Sequence, residues 1–266
     1  MRISVSSIGL ATVFSSLVLA RPIVKREECK QNIQLQISNL LLNDDIWSNA
    51  EQCEKDSSGE GYAAGLAWFT TTGSDVYEIA KEYKNNSDNT GELDEYIDVL
   101  AKYAEEESGS TEGLDGFCDA WKKAADNGAF WDAQLKIENK VYWFPSTDLM
   151  DQVGLNLGLS QTVIFDSSII FGFGEDGVNG LIDATNKKFK KNVSGSSGST
   201  LTVGKFKVDE IKWLKAFLDA REDLGNSDDE HSIENFRYII KQGNYDLEEG
   251  TKMKDLEGKT VTLKCP

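Results

Sequence analysis

Carboxylates crowd one short stretch of this 266-residue chain. In EKDSSGEGYAAGLAWFTTTGSD, residues 54–75, Glu54, Asp56, Glu60 and Asp75 surround Gly59, Gly61, Tyr62 and a run of small side chains. Glycines let a backbone lie close to a ligand, and a tyrosine offers a flat apolar face with a polar tip. Two carboxyl groups on opposite sides of a bond can perform acid–base chemistry, one giving a proton while the other activates water. The same groups can also hold a cation. Asp44 and Asp45 lie a few residues upstream and join the set. The competing reading is solvated charge, because the chain carries 45 acidic against 28 basic residues, a net charge of −17.

That charge constrains the partners. A strongly acidic surface repels nucleic-acid phosphate and anionic lipid and concentrates cationic ligands; solubility alone would also account for it. The chain opens with Arg2 and an apolar run from Val5 to Ala20, a secretory signal pattern too short and too polar to span a membrane. Residues 1–20 are therefore expected to be a signal peptide and 21–26 a short pro-segment ending at Lys25-Arg26. Such dibasic pairs are cut in fungal secretory pathways, which makes 27–266 the mature, extracellular domain. Losing Arg2, Arg21, Lys25 and Arg26, and no acid, takes the net charge from −17 to −21.

Cys29, Cys53, Cys118 and Cys265 form an even set, which in an oxidising compartment predicts two disulfides among three possible pairings. A metal site is not expected, since no two cysteines sit at ligand spacing and His231 is the single histidine. No cofactor motif is present. Asn85-Asn86-Ser87 and Asn192-Val193-Ser194 are glycosylation sequons, hence expected surface loops.

The elements that must position these groups are mostly helical. Apolar residues recur at helical spacing at Ile33, Ile37, Leu40 and Leu41, at Val76, Ile79, Ala80 and Tyr83, and at Tyr96, Ile97, Leu100 and Tyr103. Ser74 is a candidate cap for the second set, and Gly243 a stop for a helix built on Ile233, Phe236, Ile239 and Ile240. The nearly uncharged segment from Asp148 to Gly172 reads as one long buried helix, with Gly154 and Gly158 a turn apart for close packing. Residues 62–71 read as a short extended segment and turn, and SGSSGST at 194–200 as a flexible loop. Neither a repeat nor a Pro-rich linker divides the mature chain, so one domain is expected.

Ser58-Gly59-Glu60-Gly61-Tyr62-Ala63-Ala64-Gly65, then Phe69, then Thr72-Gly73-Ser74-Asp75, resembles the active-site segment of glycoside hydrolase family 46 chitosanases. The family pattern runs Asp-Gly-Arg-Gly-Tyr-Thr-x-Gly, a Phe, then Thr-Gly-x-Asp before a helix. FWDAQ, VYWFP, IFDSSIIFG, AFLDAR and FRYIIKQGNYDL continue the match along the chain. The resemblance implies a mainly α, lysozyme-like fold of two helical lobes with a small β segment at the cleft, acting as a monomer on chitosan or partly deacetylated chitin. It pairs Cys53 with Cys118, as in some members, which leaves Cys29 to Cys265. It makes Asp166 and Arg221 an interior acid and base bracing the site, gives Asp75 an amino group of the substrate to bind, and puts Tyr62 in the cleft wall. From the residues alone, Asp75 reads equally well as a helix-start acid, and Tyr62 as a core-edge residue.

The departures fall on the chemistry. The family inverts at a β-1,4-glucosaminyl bond, which needs an acid and a base about 6.5–9.5 Å apart. Its base Asp is Ser58 here; its acid Glu falls on Leu40, Leu41 or Leu42; its Arg is Glu60 and its water-orienting Thr is Ala63. Glu60, Asp56, Asp44 and Asp45 are candidate relocated carboxylates, although two residues along a strand is about 6–7 Å, more than a Glu gains in reach. The expectation is a chitosan-binding protein with lost or much reduced hydrolysis. The alternatives are an active hydrolase with relocated carboxylates and a secreted toxin or effector-type protein using only the scaffold.

Overall fold

A computed structural model describes residues 20–43, 50–224 and 229–265. The predicted signal run, all but its last residue Ala20, and Asp44 and Asp45 lie outside the described residues. The chain begins there with α1 (Ala20–Asn43), which includes Lys25-Arg26. A three-stranded antiparallel sheet follows, β1 (Cys53–Lys55), β2 (Tyr62–Ala64) and β3 (Phe69–Thr70), with Lys55 opposite Tyr62 and Ala63 opposite Thr70. Then come α2 (Ser74–Lys84), a 3-10 turn at Asp94–Tyr96, α3 (Ile97–Glu106), α4 (Phe117–Ala124) and α5 (Gly128–Glu138). The segment Asn139–Trp143 widens into a π-helical turn and runs on into α6 (Phe144–Val153). The remainder is α7 (Gly158–Phe171), α8 (Val178–Lys187), the hairpin β4 (Thr200–Val203) and β5 (Phe206–Asp209), α9 (Glu210–Glu222), α10 (Glu230–Gln242) and the hairpin β6 (Lys252–Lys254) and β7 (Thr260–Thr262). The protein is mainly α with small antiparallel sheets.

Two hydrophobic cores form, and they explain the helical spacings. One collects Phe69, the Val76, Ile79 and Tyr83 face of α2, Leu100 and Tyr103 of α3, Phe117 and Trp121 of α4 and Phe130 of α5. Phe117 is its hub, with the rings of Tyr62, Tyr96 and Trp121 at 5.6, 5.5 and 5.7 Å; truncating such a residue costs about 3–5 kcal/mol. The other joins Ile33, Ile37 and Leu40 of α1 to α6 through α10 and to Met253 and Leu263 near the chain end. Tyr142 and Ile169 pack against both, so α5, the π turn and α6 form a spine between two lobes. Cys53–Cys118 ties β1 to α4, and Cys29–Cys265 ties α1 to the segment after β7.

Some sequence expectations need correction. The segment 148–172 is two helices: Gly154, at φ 82°, caps α6 in the left-handed region, and Leu157 is extended before α7 starts at Gly158. Close packing occurs at Gly158 alone of the two glycines, where a Cβ would lie 3.2 Å from the Asp246 carbonyl oxygen. VYWFP accordingly spans the end of the π turn and the first residues of α6. Ser74 is the first residue of α2, and the N-cap is Gly73, with no side-chain cap. Gly243 does end α10, and both sequon asparagines are exposed. Residues 194–199 form a loop held by Asp209, which accepts from the Ser197 N–H and hydroxyl at 3.0 and 2.8 Å; Thr200 already begins β4.

Candidate functional site: hairpin tip, spine and buried triad

The candidate base position sits at the tip of the β1–β2 hairpin. Asp56 organises the tip: its Oδ2 accepts from the Ser58 N–H at 2.7 Å, the Ser58 hydroxyl at 2.5 Å and the Glu60 N–H at 3.0 Å. These donors, the Ser58 hydroxyl foremost, hold the Asp56 carboxyl below its ordinary range. Ser58 and Glu60 are exposed. Gly61 must be a glycine, since φ is 82° and a Cβ would meet Thr71 Oγ1 at 2.1 Å. That threonine accepts instead from the Tyr62 N–H at 3.0 Å. Tyr62 is half-buried against Phe117, and Ala63 is buried within the sheet. Of the acid candidates, Leu40 is buried in the second core and Leu41 packs beside it, while the Leu42 side chain lies outside the described residues.

Gln134 fixes the sheet to the spine. Buried on α5, it accepts from the Leu66 N–H at 3.1 Å and donates to the Ala50 carbonyl at 3.0 Å, which also accepts from Trp121 Nε1 at 2.9 Å. The β3–α2 turn then brings Asp75 toward the π turn. Asp75 is half-buried and has no hydrogen-bond or ion-pair partner among the described residues; burial raises its pKa, and Lys140 opposes this. Lys140 itself reaches Glu78 of α2 at 3.7 Å. Tyr142 stacks on Phe69 at 6.2 Å and holds its proton firmly, through burial and then the charges of Asp75 and Glu138. Glu138 is 8% exposed, and burial pushes its carboxyl up to about 7.

Glu138 was not among the residues flagged by spacing, yet the signal existed: Phe130, Gln134, Ile137 and Glu138 fall at i, i+4, i+7 and i+8, so a glutamate sits on the core-facing stripe of α5. Deeper in the second lobe Arg221, fully buried, meets Asp166 Oδ2 at 2.7 Å, donates through Nε to Asp229 at 2.6 Å and through Nη1 to Ser167 at 2.8 Å. The rings of Phe171 and Phe236 lie 5.3 and 5.7 Å from the guanidinium. The expected acid–base pair is thus a triad, with Asp229 as the unforeseen member. Among the described residues no His, Cys, Asp and Glu cluster is suited to a metal, and no helix is long and apolar enough to cross a membrane.

The family model for glycosyl hydrolase family 46 matches residues 44–250. The chain belongs to glycosyl hydrolase family 46. A chitosanase of Bacillus subtilis (strain 168) is 32% identical over 225 residues, covering 80% of this chain and 77% of the relative, and one of Nocardioides sp. (strain N106) is 27% identical over 214 residues, covering 76% and 69%. Among solved structures, a mutant chitosanase from Bacillus subtilis MY002 complexed with six GlcN units has a TM-score of 0.74 at 30% identity, covering 89% of this chain and 98% of that one. The family 46 chitosanase of Gynuella sunshinyii with chitotetraose gives 0.74 at 26%, covering 90% and 98%. The two-lobed helical architecture is therefore the family 46 one.

Proposed function

We propose that this protein is a secreted chitosan-binding member of family 46 that hydrolyses its ligand weakly or not at all. The carrying observation is a combination: neutral residues at both positions where the family resemblance expects carboxyl groups, Ser58 and the Leu40–Leu42 stretch, beside an Asp75 that is half-buried and makes no cap or ion pair among the described residues. A helix-start acid needs no burial, whereas a carboxylate awaiting a cationic sugar benefits from it. The acidic surface adds long-range attraction for a polycation. Export is supported by the N-terminal pattern and by two disulfides.

Purified protein incubated with soluble chitosan tests this directly. Co-precipitation without shortening of the chains is the expected result, and indifference to chitosan would leave only a scaffold role. Ser58→Asp alone should restore no turnover. A general acid and a general base each contribute about 10²–10⁴-fold, and a lone base leaves the departing oxygen without a proton donor.

One observation favours a second reading. Asp56 Oδ2 lies 2.5 Å from Ser58 Oγ, so a carboxylate does stand beside the family base position. Its three donors lower its basicity, but it remains a carboxylate in direct contact with that position. Robust chain shortening abolished by Asp56→Asn would establish that reading over the first.

A further inference from the structure

A pocket of about 250 Å³ opens between α1, the α5–π junction and α7. Leu35, Leu135, Phe165 and Trp143 give it an apolar wall, with the Trp143 ring edge-on to Phe165 at 5.2 Å. Gln34 and Asn139 add amides, and Glu138 is the sole ionisable group among its described lining. Glu138 is nine-tenths buried as a residue, and burial alone, with no hydrogen bond or neighbouring charge among the described residues, sets the pKa of its carboxyl. Isolated buried charge is costly, so the carboxyl keeps its proton until a cation enters the pocket beside it. An anion would add to the cost. A neutral ring would leave the carboxyl protonated and release no proton. A primary ammonium on a compact ring-sized body satisfies both parts of the pocket, by pairing with the carboxylate and by packing on the indole. The volume is below the roughly 300–1,000 Å³ of drug-sized sites, which suits one ring better than an oligomer.

We propose that this pocket captures the ammonium group of a single glucosaminyl unit, with the Glu138 carboxylate as counter-ion; the choice of sugar rests on the chitosan-binding reading. Capture converts a neutral carboxyl and an ammonium into an ion pair and sets one proton free. That proton comes from Glu138: the described pocket residues contributed by α1 and α7 are uncharged, the neighbouring Tyr142 keeps its proton, Asp75 does not line the pocket, and Lys140 is paired with Glu78.

Calorimetry with D-glucosamine at pH 6, repeated in buffers of different ionisation enthalpy, reads the released proton. Wild type should release about 0.9 proton per ligand, because a carboxyl titrating near 7 is still mostly protonated at pH 6. Glu138→Gln should lose that release and bind at least about tenfold more weakly. N-acetylglucosamine, which lacks the charge, should bind neither form. Carbon-13 NMR of the Glu138 carboxyl in unaltered protein gives an independent reading, with its titration moved to lower pH by glucosamine and unmoved by the acetylated sugar. Failure of glucosamine to bind, binding without proton release, or equal effects of the two sugars would each overturn the proposal. Loss of chitosan co-precipitation with these signals intact would overturn the polymer reading and leave the pocket standing.

Discussion

Arg221 and Glu138 mark two buried acidic places with opposite solutions. In the second lobe two aspartates share one guanidinium, which also reaches Ser167 and two aromatic rings. On the spine one glutamate is nearly as deep and has no counter-ion among the described residues. Burial raises both Asp166 and Glu138, but only Asp166 has a cation pulling the other way. Internal pairing makes a brace, which is costly to break and needs no ligand. A buried acid without a partner weakens the free protein and is explained by what it can bind.

The contrast predicts effects of opposite sign. Arg221→Met should leave two buried carboxyl groups unmatched and destabilise by about 3–5 kcal/mol. Thermal melts should fall by roughly 10 °C; a drop below about 2 °C would mean the triad braces nothing. Neutralising Asp166 and Asp229 as well, with Asn at both, should recover part of the loss.

Glu138→Gln should stabilise, and only at higher pH. In the unfolded chain this carboxyl ionises near 4.5, whereas in the folded protein it holds its proton to about 7. Folded wild type therefore carries the full benefit below about 4.5 and loses it as pH rises toward 7, after which the deficit is constant. That deficit is roughly 3 kcal/mol at one pKa unit per 1.36 kcal/mol. Urea melts at pH 4, 6 and 8 should show the variant level with wild type at the lowest pH and ahead at the highest. Equal stability at pH 8 would show that Glu138 has a partner in solution.

Asp75→Asn should weaken chitosan binding by about tenfold, equivalent to 1.4 kcal/mol. The remaining affinity should still fall with salt, since the screening length at about 0.1 M is near 10 Å. Unchanged affinity would return Asp75 to a helix-start role. The smallest effect belongs to the hairpin tip, where Asp56→Ala removes an acceptor from three exposed or half-exposed donors and should cost about 1 kcal/mol. Because its carboxyl sits below the ordinary value of 3.8, the benefit of ionised Asp56 is present above that pH and disappears on acidification through its folded value.

Helical periodicity located α2, α3 and α10 because their apolar stripes face a single core each. The same reasoning ran α6 and α7 together, since a left-handed Gly154 looks the same in sequence as a glycine in a packed helix. The glycines marked a close backbone approach, but Ser58 to Glu60 read as extended, whereas they turn between β1 and β2, because a strand and a tight turn rich in small residues look alike locally. Asp229 was not, because its partner Arg221 lies on another helix and nothing local distinguishes it from neighbouring surface acids. Glu138 was half legible: its place on the buried stripe of α5 can be read from spacing, but the lack of a counter-ion emerges only when α1 and α7 close around it.

The two lobes differ in how the chain assembles them. Most of the first core, together with Cys53 and Cys118, is built between residues 50 and 137, a continuous stretch that is complete early in synthesis. The second core sets Ile33, Ile37 and Leu40 against Leu247, Met253 and Leu263, and its disulfide joins Cys29 to Cys265. As the chain emerges from N- to C-terminus, α1 must wait through more than 200 residues for its far partners. Its contact with α7 can form about halfway, and residues 247–265 then close over α1 as the last step of the second lobe.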